Sequence, residues 1–169
     1  MILIDTREQK AGHVEKAFDA LGIRYDRSKL YVGDYTLVSD QSVCVDRKAG
    51  LHEVYSNTVQ QHNRFRAECV RAQQAGIRLI VLVEQPEIGC LEDVAKWRNP
   101  RIRRWDFVHR AHSLGKMMDV RIPPKRPVDS DRLMNMMRSM SLKYGVEWAF
   151  TSQEECGRRI TEILGESGG

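Results

Sequence analysis

The sequence contains no apolar run approaching the ~20 residues that a membrane-spanning helix requires. It opens on Met1-Ile2-Leu3-Ile4-Asp5 without the basic stretch and long apolar core of a secretory leader. The four cysteines, Cys44, Cys69, Cys90 and Cys156, include no Cys-x-x-Cys pair. That spacing argues against a zinc knuckle or a dithiol redox motif and leaves buried, reduced thiols as the expectation. Internal repeats and low-complexity tracts are missing as well. Together these absences point to an intracellular, cytoplasmic protein with no membrane partner.

What is present is the composition of a globular domain: 169 residues, 41% hydrophobic and 30% charged, enough to bury a real core as one unit spanning residues 1–169. The net charge of +4 permits a nucleic-acid partner without establishing one. The basic residues are concentrated. Ten lie between positions 96 and 126 (Lys96, Arg98, Arg101, Arg103, Arg104, Arg110, Lys116, Arg121, Lys125, Arg126), against Asp106 and Asp119 alone. Trp97 and Trp105 are interleaved with them. Such a segment attracts a phosphate backbone and offers rings to unpaired bases. It describes equally well a solvated basic face with two partly buried tryptophans.

Met1 to Asp5 is a short apolar run that predicts a buried strand. From Gly12, the positions Val14, Ala17, Phe18 and Leu21 follow helical spacing, and Gly22 stops the helix. Ile23 to Arg27, Tyr35 to Val38 and Ser42 to Lys48 are β-like, with turns at Gly33-Asp34 and Ser39-Asp40-Gln41, and read as an antiparallel meander. Leu51 to Tyr55 predicts a short helix. Val59 to Ala75 predicts a longer one with His62, Phe65, Cys69 and Ala72 on its buried stripe and Gly76 at its end. Ile77 to Val83 is nearly all apolar, the pattern of a central strand covered on both faces. Pro123-Pro124-Lys125-Arg126-Pro127 reads as a rigid linker inside the domain. Asp129 and Ser130 cap a helix running to about Lys143, with Leu133, Met136, Met137, Met140 and Tyr144 as its core stripe. Val146 to Phe150 is a last strand and Gln153 to Leu164 a last helix, after which Gly165, Gly168 and Gly169 are expected to fray. This order predicts an α/β fold, a mixed central sheet with helices on both faces.

The chemistry-bearing residues gather around the third β-like stretch. Side chains alternate along a strand, so Asp46 and Lys48 share a face about 7 Å apart while Arg47 points the other way. Asp34 follows a glycine turn at the start of the preceding strand and approaches Asp46 if the two strands pair. Two carboxylates and a lysine suit phosphodiester cleavage. Hard oxygens hold Mg²⁺ with some of its waters, and an ammonium stabilises charge on phosphate. Asp5, Glu8 and Glu53 are further acids within plausible reach. Alone, Asp-x-Lys at a strand end also describes an ordinary surface ion pair.

The combination says more than its parts. Ile4-Asp5-Thr6-Arg7-Glu8, Gly33-Asp34-Tyr35 and Val45-Asp46-Arg47-Lys48 resemble, in order and spacing, the XPF family of structure-specific nucleases. The motifs of that family run Asp-x-Arg-Glu, Gly-Asp and Glu-Arg-Lys-x-x-x-Asp. Arg64-Phe65 and the run from Ala75 to Glu84 are similar to the helix and strand that follow. Tyr144-Gly145-Val146-Glu147 and Gly157-Arg158-Arg159-Ile160 resemble the tail of stand-alone bacterial and phage members. The resemblance covers about residues 1–84 and 128–164.

It implies a restriction-endonuclease-like fold and a Mg²⁺-dependent DNA endonuclease, with Mn²⁺ as a substitute and no small-molecule cofactor. The implied substrates are branched, flap or junction DNA in repair or recombination. It assigns Asp34 and Asp46 as metal ligands and, together with them, Lys48 (the catalytic lysine) and Arg47 as catalytic positions, with Asp5, Arg7 and Glu8 as supporting positions. Two departures stand out. Asp46 replaces the usual Glu, and the last motif acid falls on His52, with Glu53 adjacent as the substitute ligand. Lys96 to Arg126 falls in none of these motifs, and the chain is expected to have no room for the DNA-binding modules of the larger members. DNA contact is therefore expected through this basic, proline-containing segment (Arg98, Arg101, Arg103, Arg104) together with Arg64, through a partner, or through a second copy in a homodimer. The alternative left open is a catalytically inactive DNA-binding or scaffolding module on the same fold.

Overall fold

The computed structural model describes residues 1–115 and 125–166. Of the features above, Pro123-Pro124, Lys116, Asp119, Arg121, Gly168 and Gly169 lie outside these residues. Six strands form one sheet: β1 (Ile2–Asp5), β2 (Tyr25–Ser28), β3 (Tyr35–Leu37), β4 (Val43–Lys48), β5 (Arg78–Glu84) and β6 (Glu147–Thr151), in the order β2-β1-β3-β4-β5-β6. The helices are α1 (Gly12–Ala20), α2 (Leu51–Tyr55), α3 (His62–Gln74), α4 (Pro100–Ser113), α5 (Ser130–Tyr144) and α6 (Cys156–Leu164). A π-helical turn, Ser56–Gln60, joins α2 to α3, and a 3-10 turn covers Leu91–Lys96.

The sheet is mixed. β1–β3 and β3–β4 are antiparallel, whereas β1–β2, β4–β5 and β5–β6 are parallel. The expected antiparallel meander is therefore wrong at its first strand, because β2 pairs with β1 and not with β3. The cause is α1. A helix between two strands carries the chain across the sheet and returns it parallel, which a hairpin cannot do. β2 is short and mostly exposed, as suits an edge. β5 lies between two parallel neighbours and is buried from Leu79 onward, which explains its unbroken apolar run.

Alternation along the central strands sorts the core into two layers. Val45 and Leu82 join Ile2, Ile4, Phe18, Tyr35 and Ile160 beneath α1 and α6. Cys44, Leu79, Val81 and Val83 join Phe65, Cys69, Leu133 and Met137 beneath α3 and α5. Fully burying one such side chain stabilises by about 1.5–3 kcal/mol, so each face is held by many comparable contributions. α1 and α6 approach closely because Gly157 carries no side chain. A Cβ there would collide with the Cβ of Ala17.

Some local expectations change. Among the described residues, no helix is long and apolar enough to cross a membrane. The basic segment, whose sequence shows no clear periodicity, contains α4. Its start signal was present in Asn99-Pro100: Asn99 caps by accepting from Arg101 N at 3.0 Å, and Pro100 occupies the first turn. Asp129 caps α5 as expected, accepting from Arg132 N at 2.9 Å. The buried stripe of α3 is Phe65, Cys69 and Ala72, with His62 exposed, and Met134 takes the place expected of Met136 against the core. Gly165 is the left-handed cap of α6 and not a frayed end. Cys44, Cys69 and Cys156 are buried free thiols, but Cys90 is exposed.

Candidate metal centre

The cleft is assembled where β3 and β4 meet. Gly33 has φ +70, a conformation that side chains rarely adopt, and a Cβ there would lie 3.0 Å from Val45 O and 3.1 Å from Cys44 Cβ. Glycine thus lets the loop lie directly against β4. Asp34 N then donates to Val45 O at 2.8 Å, and the Asp34 carboxylate accepts Arg47 N at 2.8 Å through Oδ2. Tyr35 opposes Val45 in the ladder, so Asp34 and Asp46 flank the same pair from opposite strands.

Alternation on β4 places Asp46 and Lys48 on the α3 side, as the sequence predicts. Lys48 Nζ donates to Asp46 Oδ1 at 2.8 Å and sits 2.6 Å from Oδ2. It lies 5.6 Å from the centroid of the Phe65 ring on α3. Although the ammonium touches Oδ2, its geometry gives that atom no hydrogen bond, and Oδ2 is buried without any other partner. Burial pushes the Asp34 carboxyl well up from its usual value, and neighbouring Asp46 adds to this. Lys48 and the Arg47 N–H oppose it. For Lys48, burial works against the charge, but the Asp46 and Asp34 carboxylates outweigh it and hold the ammonium above the ordinary lysine range.

The donor set fits a hard divalent cation. Asp34 and Asp46 present carboxylate oxygens to one cleft of about 570 Å³, and the one cation in contact with the Asp46 carboxylate among the described residues is Lys48. Hard carboxylate oxygens of this kind suit a small divalent cation that keeps some of its waters.

The remaining expected residues divide by surroundings. Asp5 is wholly buried and saturated. Its oxygens accept from Arg7 N and Nε, each at 2.7 Å, from Arg7 Nη2 at 3.0 Å and from Leu30 N at 2.7 Å. Burial raises its pKa, but these bonds outweigh that and hold it below the usual range. Asp5 therefore anchors the β1 loop, while Arg7 lines the cleft. Glu8 accepts Lys10 N at 2.8 Å and Arg47 at 3.3 Å. Arg47 points to the opposite side of β4 from Lys48. Its side chain is only 5% exposed and bridges Glu8 (3.3 Å) and Glu84 (3.0 Å). Glu53 lines the cleft, but its Oε2 accepts Ala49 N at 2.8 Å and so caps the turn into α2, and His52 is exposed.

Arg64 is exposed on the cleft wall. Arg98, Arg103 and Arg104 are exposed near or on α4. Arg101 is half-buried, donating to Ser56 Oγ at 3.0 Å and lying 5.0 Å from the Tyr55 ring centroid. Because Ser56 lines the cleft, that bond ties the basic helix to the site. Trp97 is half-buried against the core, and Trp105 is half-buried and stacked on His109 with centroids 3.4 Å apart.

Sequence reasoning missed two acids. Glu68, beside the buried stripe of α3, lines the cleft and accepts Gly33 N at 3.0 Å. Glu84 ends β5, with His13 Nε2 2.6 Å from its Oε1. His13, Glu84 and Cys156 bring their ligand atoms within 4.8 Å of one another, but Glu84 already carries the Arg47 and His13 contacts, so the group is a closed polar network behind the sheet. The one local signal for Glu68 was its place three residues after Phe65, on the flank of the buried stripe.

Solved structures that share the fold include two of an XPF protein. XPF from Aeropyrum pernix superposes with a TM-score of 0.61 at 19% identity, covering 97% of this chain and 64% of that one. The same protein described as a complex with DNA gives 0.59 at 18% identity, covering 96% and 62%. This chain thus spans less than two thirds of the length of either. No curated protein sequence matches significantly. The shared architecture is the restriction-endonuclease-like α/β fold that the motifs imply. The sequence also matches the ERCC4 domain over residues 4–162, a span that includes Asp34, Asp46, Lys48 and the strands that bring them together, and the chain therefore belongs to the ERCC4 domain family.

Proposed function

We propose that this chain is a divalent-metal-dependent DNA endonuclease that hydrolyses phosphodiester bonds in branched, flap or junction DNA, with residues 1–169 acting as one nuclease domain. The observation that carries this reading is the Asp46–Lys48 ion pair on the floor of a cleft, with Asp34 directly across the hairpin. Asp34 and Asp46 would hold Mg²⁺ or Mn²⁺. When bound, such a cation supplies an activated water and neutralises charge on the phosphate. Lys48, a desolvated cation in contact with Asp46, stabilises the additional negative charge that develops as the phosphate is attacked. Arg47 holds β4 in place from behind through Glu8 and Glu84.

Cleavage assays with Mn²⁺ or Mg²⁺ on linear, flap, fork and four-way-junction DNA test the proposal. Metal-dependent cuts at the branch support it. The competing scaffold reading draws on His52 at the last motif position, and tight binding without cutting under every metal would favour it.

We further propose that the basic segment, residues 96–127, supplies phosphate contacts. The bond from Arg101 to Ser56 sets α4 beside the cleft, and Arg98, Arg103 and Arg104 remain exposed. Reversing Arg98, Arg103 and Arg104 to Glu, with Arg101 left in place, should weaken DNA binding and lower the salt slope by about 0.9 for each phosphate no longer neutralised. Fluorescence anisotropy across a salt series reads both quantities. Unchanged affinity and slope would remove the segment from the interface.

A further inference from the structure

We infer that Glu68 is a third carboxylate of the cation site, serving where His52 has displaced the last motif acid. The inference rests on the endonuclease reading above and deepens it.

The other acids near the cleft are occupied. Asp5 is saturated by Arg7 and Leu30, and Glu8 is held by Arg47 and Lys10 N, while Glu53, which like Glu68 has one oxygen on a backbone N–H, is tied to Ala49 at the turn into α2 and not to the loop that carries Asp34. Glu68 is different. It comes from α3, across the cleft from β4, and Oε1 is fixed by Gly33 N, the residue immediately before Asp34. Among the described residues its second oxygen accepts no hydrogen bond. The same loop therefore positions Asp34 and Glu68 together, facing Asp46, which is ion-paired to Lys48 at 2.6 Å. Arg7, Lys10, Arg64 and Arg71 also line the cleft, but in direct contact with the Asp46 carboxylate there is only Lys48 among the described residues.

The three carboxylates do not crowd within 4.8 Å as His13, Glu84 and Cys156 do. Glu68 therefore acts through the waters that a small hard cation retains. A purely structural Glu68 would only pin the Gly33 loop, and the two roles separate by charge.

Glu68→Gln keeps an acceptor for Gly33 N and removes the charge. In calorimetric titration of the DNA-free protein with Mn²⁺, it should bind about 10–100-fold more weakly than the unaltered chain. Its melting temperature without metal should not fall. Glu68→Asp, which retains the charge, should bind more tightly than Glu68→Gln. Equal Mn²⁺ affinity in Glu68→Gln and the unaltered chain overturns the inference and leaves the endonuclease reading standing. Equal losses in Glu68→Gln and Glu68→Asp also overturn it, because the Gly33 contact rather than the charge would then matter. An unaltered chain that neither binds Mn²⁺ nor cuts DNA with it fails at the earlier step, and the endonuclease reading falls with it.

Discussion

Lys48→Ala should give a folded protein that still binds Mn²⁺ and cuts DNA at least about 100-fold more slowly, the loss typical of removing one preorganised charge-stabilising group. The ammonium is buried and ion-paired to Asp46, with its side chain 10% exposed. In such surroundings a charge acts on its neighbours with little solvent screening. Its removal leaves Asp34 and Asp46 without their nearest counter-charge, but the Asp34 carboxyl is already pushed toward its protonated form by burial and by Asp46. Uptake of one proton then relieves the repulsion, and the sheet survives. Metal binding should hold or improve because Lys48 occupies the Asp46 carboxylate in the free protein. Circular dichroism, Mn²⁺ calorimetry and single-turnover cleavage of a flap substrate check the three parts. Cleavage at the unaltered rate would remove Lys48 from the chemistry. A loss of Mn²⁺ affinity matching that expected of Glu68→Gln would recast it as an organiser of the site.

Arg47→Met should lower stability by about 3–5 kcal/mol, the usual consequence of removing one member of a buried ionic group. The cause is what remains. Glu8 and Glu84 are both buried, and the guanidinium contacts both at 3.3 and 3.0 Å while also donating to Lys10 O at 3.3 Å. Without it, two carboxylates stay in the interior, with His13 and the neutral Cys156 thiol beside Glu84. Urea unfolding followed by fluorescence reads the change. Combining Arg47→Met with Glu8→Gln and Glu84→Gln should recover much of the loss, since the uncompensated charges are then gone. Arg47→Lys should recover less, because one ammonium cannot span both partners as a planar fork does. A variant of unaltered stability that cannot cut DNA would instead place Arg47 in the chemistry, the role its motif position implies.

The local pattern was enough for much of the site. Asp46 and Lys48 face one way and Arg47 the other because a strand has a period of two, and no later packing event can alter that relation. Gly33-Asp34 was legible for a similar reason, since a glycine at a tight approach leaves a mark in the composition of the turn. β5 was legible because a strand covered on both faces must be apolar throughout. Glu68 was not. It meets Gly33 across 35 residues of chain, and nothing near position 68 encodes that meeting. The partners of Arg47 were hidden likewise, with Glu8 39 residues away and Glu84 on another strand.

By itself, then, the sequence determined the three motifs, the shared face of Asp46 and Lys48, and the mixed α/β class. Each follows from spacing within a few residues or from the burial demanded of one element. Tertiary structure alone decided that β2 lies beside β1, that Asp5 and Arg47 are tied up by neighbours away from the cleft floor while Asp46 is paired with Lys48 on it, and that α3 brings a further acid to the cleft. The physical reason is common to all of them. Strand order and helix placement are set by how two apolar layers close over the sheet, and that closure brings together side chains whose separation along the chain leaves no local signal.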